Sequence, residues 1–429
     1  MRTVMNGWCC PPWQGILRRV RRWHSRKWLF PALGRGNKKK VLLRDIGMIT
    51  ELEIKNFRGF SEYKIEDVGQ VNLLVGTNNC GKTSVLEAIH LLKSRGDAGV
   101  LFSLLSRRGE QISSEERIAH RAEGDVCRLF HGFQLTLDST LSICSPKQEM
   151  EKLSLSIHKI GRQLSLFDID QDITENYLDE AELLFSEDTD RFYRLTVDWK
   201  EKKDKEKKHE YPISYTGGLS YNDMRRMSLV NPKTANDSSV EFVPASSLSP
   251  QKVVGLFDQV VLTPDEELVL KAVRIVEPDI VRLASLGGSN LSPGDHTRGG
   301  IIVKSSKWEE RIPIGSFGDG IWRLLGLILS LVAAKNGTLL IDEIDTGLHH
   351  TVMSKMWKLI CTTAKKLNVQ VFATTHSSDC WKTLADNAVE EEFADMPIRI
   401  HRIDKNKSKP ETFTNKEMYL AVDREIEVR

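Results

Sequence analysis

The sequence predicts an α/β protein, with a mixed sheet flanked by helices and an inserted antiparallel β plus helical region. Three observations predict it. A glycine-rich loop, "GTNNCGKTS" (Gly76 to Ser84), sits between a short apolar run and an amphipathic stretch. A second apolar run, "TLLID", ends on acidic residues, and a third, "VQVFATTH", follows it after one helix length. Strand, helix and strand in that order imply parallel neighbours joined by a right-handed crossover.

The composition allows this fold and narrows the class. A chain of 429 residues has room for two or three domains, and 40% hydrophobic with 28% charged residues is ordinary for a globular protein. No apolar run reaches the roughly 18 to 20 residues that span a bilayer. The longest, Ile321 to Ala334, is shorter and contains Arg323, so it reads as a buried helix and no membrane partner is expected. The seven cysteines (Cys9, Cys10, Cys80, Cys127, Cys144, Cys361 and Cys380) show no CxxC pairing, which argues against a disulfide framework or a zinc site and fits a cytoplasmic protein.

The net charge of +2 is unevenly spread. Residues 1–47 carry twelve Lys/Arg and one Asp, a net +11, which leaves −9 for the rest. The body is therefore acidic, and DNA remains open as a ligand only through a local patch. The leader holds four of the nine tryptophans and no sustained period. It reads as a basic disordered extension, or as a start placed too early with the protein proper beginning at Met48.

From Met48 the elements follow in order. "MITELEIKNFRGF" alternates as a strand does, and "SEYKIEDVGQVNLLVG" supplies a second strand and a buried third at Val71 to Val75. Val85, Leu86, Ala88, Ile89 and Leu92 then recur at helical spacing. Residues 48–105 form the N-terminal lobe. In 106–311, "QLTLDSTLSI", "KLSLSIHKI", "RFYRLTVDW" and "YPISYTGG" alternate as antiparallel strands, and "KEKKDKEKKHE" reads as a solvated hairpin tip. "PDEELVLKAVRIVEPDIVRLASL" has helical spacing with a break at Pro278, and no sustained heptad announces a coiled-coil arm. In 312–429 come a helix over Ile321–Lys335, strand "TLLID", a helix carrying Met353, Met356, Trp357, Ile360 and Ala364 on one face, strand "VQVFATTH", strand "IRIHRID" and the short helix "EMYLAVDREI".

The loop's chemistry follows from its residue types. Phosphate needs inward-pointing N–H groups, and side chains at the closest approach would block them, so Gly76 and Gly81 bracket the turn. Lys82 brings a point charge to the outer phosphates, Thr83 a hydroxyl for Mg²⁺, and the helix that starts there its positive dipole end. Cys80 contributes backbone. A magnesium nucleotide also needs a carboxylate at a neighbouring strand's C-terminal edge. Asp342 would hold the metal through water and Glu343 would polarise an attacking water. Two adjacent carboxylates point to hydrolysis as well as binding. "SFGDGIWRLL" opens a helix with Ser316, Gly318 and Gly320, a second anion-seeking N-terminus that one nucleotide does not obviously need. His349 and His350, adjacent at a helix start, point in different directions and read as no metal site.

These motifs together resemble the ABC-type ATPase heads of the RecF, SMC and OLD (overcoming lysogenization defect) group, a P-loop NTPase fold of ABC-ATPase type. "GTNNCGKTS" is similar to its Walker A, with Asn78 in the habitual place, and "SFGDG" to a divergent signature. "LLIDEIDTGLHH" is similar to Walker B plus D-loop, and "VFATTHSSD" to the switch-histidine strand. The resemblance covers about 48–105 and 312–405. It implies ATP and Mg²⁺ as ligands, with Gly76, Asn78, Gly81, Lys82, Thr83 and Ser84 around phosphates and metal, Asp342 on Mg²⁺, Glu343 as base and His376 on the γ-phosphate. Ser316, Gly318 and Gly320 would serve the nucleotide of a second copy in a homodimer, with Asp345 coupling the two sites. Arg58, in "NFRGF", matches a nucleotide-contacting position, against the alternative of a surface arginine at a strand end. No glutamine-loop residue is identified.

OLD nucleases continue into a TOPRIM domain, and the chain ends at Arg429 without room for one, so the expectation is an OLD-like ATPase acting with a separately encoded effector in DNA repair or antiphage defence. Two other readings share the motifs: a regulatory module in which ATP closure is itself the signal, and a transporter's ATP-binding subunit. The last is disfavoured by the insertion between Walker A and signature.

Overall fold

A computed structural model describes residues 47–112, 123–134, 136–146, 151–160, 193–200, 207–222, 224, 239–286 and 300–428. The basic leader and the tip of the charged hairpin at 201–206 lie outside the described residues.

In chain order the elements are β1 (Leu52–Phe57), β2 (Phe60–Ile65), β3 (Val71–Val75), α1 (Lys82–Lys93), α2 (Ala98–Arg107), β4 (Gln111–Ile112), β5 (Glu123–Asp125), β6 (Thr140–Ser145), β7 (Glu151–Lys159), β8 (Tyr193–Lys200), β9 (Lys207–Ile213), β10 (Gly218–Ser220), β11 (Val240–Val243), α3 (Pro250–Val260), α4 (Glu266–Val273), β12 (Ile280–Ser285), β13 (Ile301–Ser305), β14 (Arg311–Pro313), α5 (Asp319–Ala333), β15 (Thr338–Ile341), α6 (His350–Leu367), β16 (Gln370–Thr374), α7 (Ser378–Asn387), β17 (Ile398–Arg402), β18 (Glu411–Thr414) and α8 (Asn415–Asp423).

Two six-stranded sheets organise them. One has the order β11-β15-β16-β3-β17-β18. It is parallel through β17, and β18 closes its edge antiparallel. The other, β2-β1-β6-β7-β8-β9, is antiparallel throughout. The stretch 106–311, expected from sequence as an insertion between two lobes, supplies four strands to the sheet that β1 and β2 begin and one strand, β11, to the parallel sheet. The antiparallel pairing of β8 with β9, Trp199 opposite Lys207, flanks the charged run as a hairpin requires.

The parallel sheet separates two cores by strand alternation. Val71, Leu73 and Val75 of β3 face one core with α3 to α7. Leu74 faces the other, which holds α1, α2 and the inner face of the antiparallel sheet. α1 lies between the two sheets and is buried along nearly its whole length, so Lys82, Glu87 and Lys93 are buried with its apolar residues. This fixes the start of α1, and with it the phosphate loop, from both sides.

One element differs from the sequence expectation. The helical spacing of "PDEELVLKAVRIVEPDIVRLASL" holds only for α4, and beyond Pro278 the chain is strand β12. Pro278 cannot continue a helix. In β12 the buried residues Ile280 and Leu283 are three apart because the register shifts between Ile280 and Arg282. A β-bulge adds one residue between inward positions, and so imitates helical spacing.

Candidate functional site

The loops after β3, β15 and β16, and the one after β11, all leave the C-terminal edge of the parallel sheet, where such sheets place their ligands. The loop after β3 is the glycine-rich one. Gly76 (φ 141°) and Gly81 (φ 104°) have backbone conformations that side chains strain against. A Cβ at Gly81 would also lie 2.4 Å from the ring of Phe60. Gly81 is thus required twice, by its own torsion and by the β1–β2 corner packed on it. α1 begins at Lys82 and turns its first N–H groups towards the loop.

Lys82 is buried, and its Nζ donates to the carbonyls of Gly76 (2.8 Å) and Thr77 (2.9 Å). It lies 3.4 Å from His376 Nδ1 and 3.8 Å from Cys80 Sγ. Burial pulls its ammonium below the usual range, against the opposing pull of Cys80, Asp342 and Glu343. Lys82 and His376 therefore converge on one point from the loops after β3 and β16.

Thr83 and Asp342 meet between the start of α1 and the end of β15. Thr83 Oγ1 donates to the Asp342 carboxylate at 3.1 Å, and Thr374 Oγ1 donates to the same carboxylate at 2.7 Å. A hydroxyl and a carboxylate, both hard oxygen donors, fit Mg²⁺ with waters completing its shell. Thr83 and Asp342 would hold it, and bound there it would neutralise phosphate charge. Glu343, next in the chain, has the left-handed φ of 48°. Its N–H donates to Thr374 Oγ1 at 2.8 Å and its carboxylate accepts from Thr346 Oγ1 at 3.1 Å. Asp345 accepts from Thr375 Oγ1 at 2.5 Å. Asn78, Asn79, Glu343, Asp345, Thr346 and His376 line an open polar cleft of about 550 Å³.

The other expected residues lie elsewhere. Ser84 sits in the first turn of α1, where its hydroxyl accepts a long bond, 3.4 Å, from Arg108 Nη2. Ser316 and Gly318 are exposed, Gly320 is partly so, and none of the three lines the cleft. A Cβ at Gly320 would lie 3.1 Å from the Gly347 carbonyl, so the start of α5 rests on the turn that carries Asp345 and Thr346. For Arg58 the surface alternative requires a correction: its side chain is 2% exposed and paired with Glu87 of α1 at 2.7 Å and with Glu110 at 2.8 Å. A buried guanidinium needs buried carboxylates, and Glu87 and Glu110 supply them. His349 caps α6, accepting from the Thr351 N–H, and no metal cluster of His, Cys, Asp and Glu occurs among the described residues.

Sequence reasoning missed Thr374, Thr346 and Arg323. Thr374 had a signal, since it ends an apolar strand two residues before His376. Arg323 registered only as a charge that shortens an apolar run.

Comparison with known proteins agrees with the geometry. Residues 48–217 match the family described as "AAA ATPase domain", and residues 277–379 match "AAA domain, putative AbiEii toxin, Type IV TA system". The chain is 24% identical over 369 residues to an "ATP/GTP phosphatase" of Helicobacter pylori, covering 81% of this chain and 90% of that protein. A 44-residue stretch is 52% identical to the DNA replication and repair protein RecF of Marinomonas sp., covering 10% of this chain and 12% of RecF. A 42-residue stretch is 52% identical to the DNA double-strand break repair Rad50 ATPase of Archaeoglobus fulgidus, covering 10% and 5%. Among solved structures, an SMC head bound to the C-winged helix domain of ScpA aligns over 85% of this chain and 98% of its own, with a TM-score of 0.41 and 14% identity. No described helix is long and apolar enough to cross a membrane. The phosphate loop, acidic strand end and histidine strand thus gather at one sheet edge within two stretches that match ATPase domains, and the chain is an ATPase similar to the ABC-type heads of the RecF/SMC group.

Proposed function

We propose that this ATPase works as a switch made of two copies. ATP with Mg²⁺ closes a homodimer in which the start of α5 in each copy caps the nucleotide held by the other. In each cleft Glu343 then takes the proton of the attacking water, and hydrolysis reopens the pair. Lys82 and His376 stabilise charge on the γ-phosphate, Thr83 and Asp342 hold the metal, and Asn78 lines the phosphate side. Asp345 sits in the turn against which α5 rests, and so links a copy's own cleft to its signature.

The observation that carries this reading is the separation of two anion-seeking helix starts in one chain. The loop that leads into α1 lines the cleft through Asn78 and Asn79, while Ser316 and Gly318 are exposed and absent from its lining. Glu343→Gln supplies the test. With ATP and Mg²⁺ the variant should bind nucleotide, lose turnover by about a hundredfold or more, and run as a dimer in light scattering. A strictly monomeric ATP-loaded variant, at concentrations where the wild-type protein turns over, overturns it.

The biological setting we infer is cytoplasmic, with a separately encoded effector, in DNA repair or antiphage defence. The short likenesses to RecF and Rad50 and the OLD-like motif order support it. ATPase rates with and without DNA ends test DNA as a ligand: stimulation supports it, and an unchanged rate at low salt removes it.

A further inference from the structure

We propose that Arg323 is a positioning residue for hydrolysis, holding Glu343 in its left-handed backbone conformation through the main chain rather than by touching nucleotide. This rests on the reading of Glu343 as the base.

Arg323 lies in the first half of α5, 1% exposed. Its guanidinium forks onto three carbonyls. Nη1 donates to Pro244 O at 2.6 Å, and Nη2 donates to Asp342 O at 2.7 Å and to Glu343 O at 2.9 Å. Pro244 follows β11, and Asp342 and Glu343 follow β15, so one side chain ties the ends of two adjacent parallel strands to α5. The consequence falls on Glu343. A left-handed φ of 48° is uncommon for a residue with a side chain and persists only where the surroundings impose it. Three bonds to its main chain do so: Thr374 Oγ1 accepts from its N–H, and its carbonyl accepts both from Arg323 and, at 3.1 Å, from the Thr346 N–H of the same turn.

The electrostatics are consistent with a cation placed for these carbonyls. Arg323 Nε has no hydrogen-bond partner, and among the described residues the guanidinium bonds three carbonyls and, at 3.5 Å, the Ser247 hydroxyl, but no carboxylate oxygen. Burial pulls it down to about 10, while Asp342, Asp345 and Glu343 act through space in the opposite direction. A buried cation that spends its donors on main-chain carbonyls stabilises their conformation directly, and a planar fork serves two strand ends where an ammonium serves one point.

The test separates charge from fork. Arg323→Lys keeps the charge, and Arg323→Met keeps much of the volume. Loss of aim at the reacting water should lower kcat about a hundredfold in both variants, with KM within about threefold of wild type. Adding Arg323→Lys to Glu343→Gln should cost no further activity, because the residue it aims is already disabled. The inference is overturned if Arg323→Lys retains kcat within about threefold of wild type. It is also overturned if KM and kcat deteriorate together with a lower thermal midpoint, or if the two substitutions multiply. Should Arg323→Met not fold, Arg323→Lys decides alone. Wild-type turnover in Glu343→Gln would refute the base assignment, a result distinct from a dead Glu343→Gln beside an active Arg323→Lys.

Discussion

Gly81 and His401 are two residues whose neighbours leave them little choice. At Gly81 an added methyl meets Phe60 at 2.4 Å on a backbone already at φ 104°. Gly81→Ala should therefore displace the loop that presents N–H groups to phosphate and weaken ATP binding at least about tenfold, measured by titration, since even one misaimed charged hydrogen bond costs about that much. His401 is fully buried, and burial pushes its imidazole from 6.5 down to about 3. Its Nε2 faces Asn72 Oδ1 at 3.2 Å, and that oxygen already accepts the Gly69 N–H, so Nε2 carries the proton and Nδ1 accepts from Thr412. Between those two pH values the unfolded chain binds a proton that the folded chain refuses. The contribution is complete above pH 6.5 and is lost progressively as pH falls towards 3, by roughly 1 kcal/mol per pH unit. The urea midpoint of His401→Gln should fall less steeply from pH 7 to pH 5 than that of the wild type, and parallel slopes would refute the assignment. Residues of this kind divide what the sequence reveals. Gly81, Lys82 and Asp342 are legible because their chemistry needs fixed neighbours in the chain. Arg323 and Thr374 act on main-chain atoms 19 to 79 positions away, and no local pattern records such a bond.

At the scale of elements, α1 is pinned by charge as well as by apolar contact. Glu87, 3% exposed, takes Arg58 from the β1–β2 corner and Arg108 from the end of α2, the latter through two bonds of 2.8 and 2.9 Å. Removing the shared carboxylate leaves the buried Arg58 with Glu110 as its only carboxylate, so Glu87→Ala should destabilise by up to about 3 kcal/mol. Arg108 is about a third exposed, and Arg108→Ala should cost at most about 1 kcal/mol. Thermal midpoints of the two variants rank them, and equal shifts would mean that Glu110 alone suffices for Arg58. The same contrast explains which elements the sequence disclosed. β3, β15 and β16 are nearly continuous apolar runs because both faces are covered, whereas α1, sandwiched between the sheets, keeps Glu87, His90 and Lys93 on one side of its apolar stripe. β12 hid behind its bulge, and the joining of β6 to β1 depends on a pairing between residues about 90 positions apart, which alternation alone does not specify.

At the scale of the whole molecule, the question is whether the two anion-seeking helix starts belong to one catalytic event. Lys82→Ala disables a copy's own cleft but leaves its α5 intact. Ser316→Arg does the reverse, placing a bulky cation at the exposed start of α5 while Lys82, Thr83, Asp342 and Glu343 stay in place. If clefts are completed across a two-fold axis, each variant alone has no complete site. A mixed dimer has one, made of the cleft of the Ser316→Arg copy and the α5 of the Lys82→Ala copy. With random pairing about half the dimers are mixed and each has one of its two sites, so an equimolar mixture of the two inactive variants should recover about a quarter of wild-type turnover. Strongly coupled sites would give less, down to the background of the separate variants, but nucleotide trapped in mixed dimers would remain detectable by differently tagged copies co-eluting with ATP. A protein that hydrolyses ATP as independent copies gives neither signal, because then Ser316→Arg alone retains full turnover. That result would leave the cleft as an ATPase site and remove the reason for the second helix start.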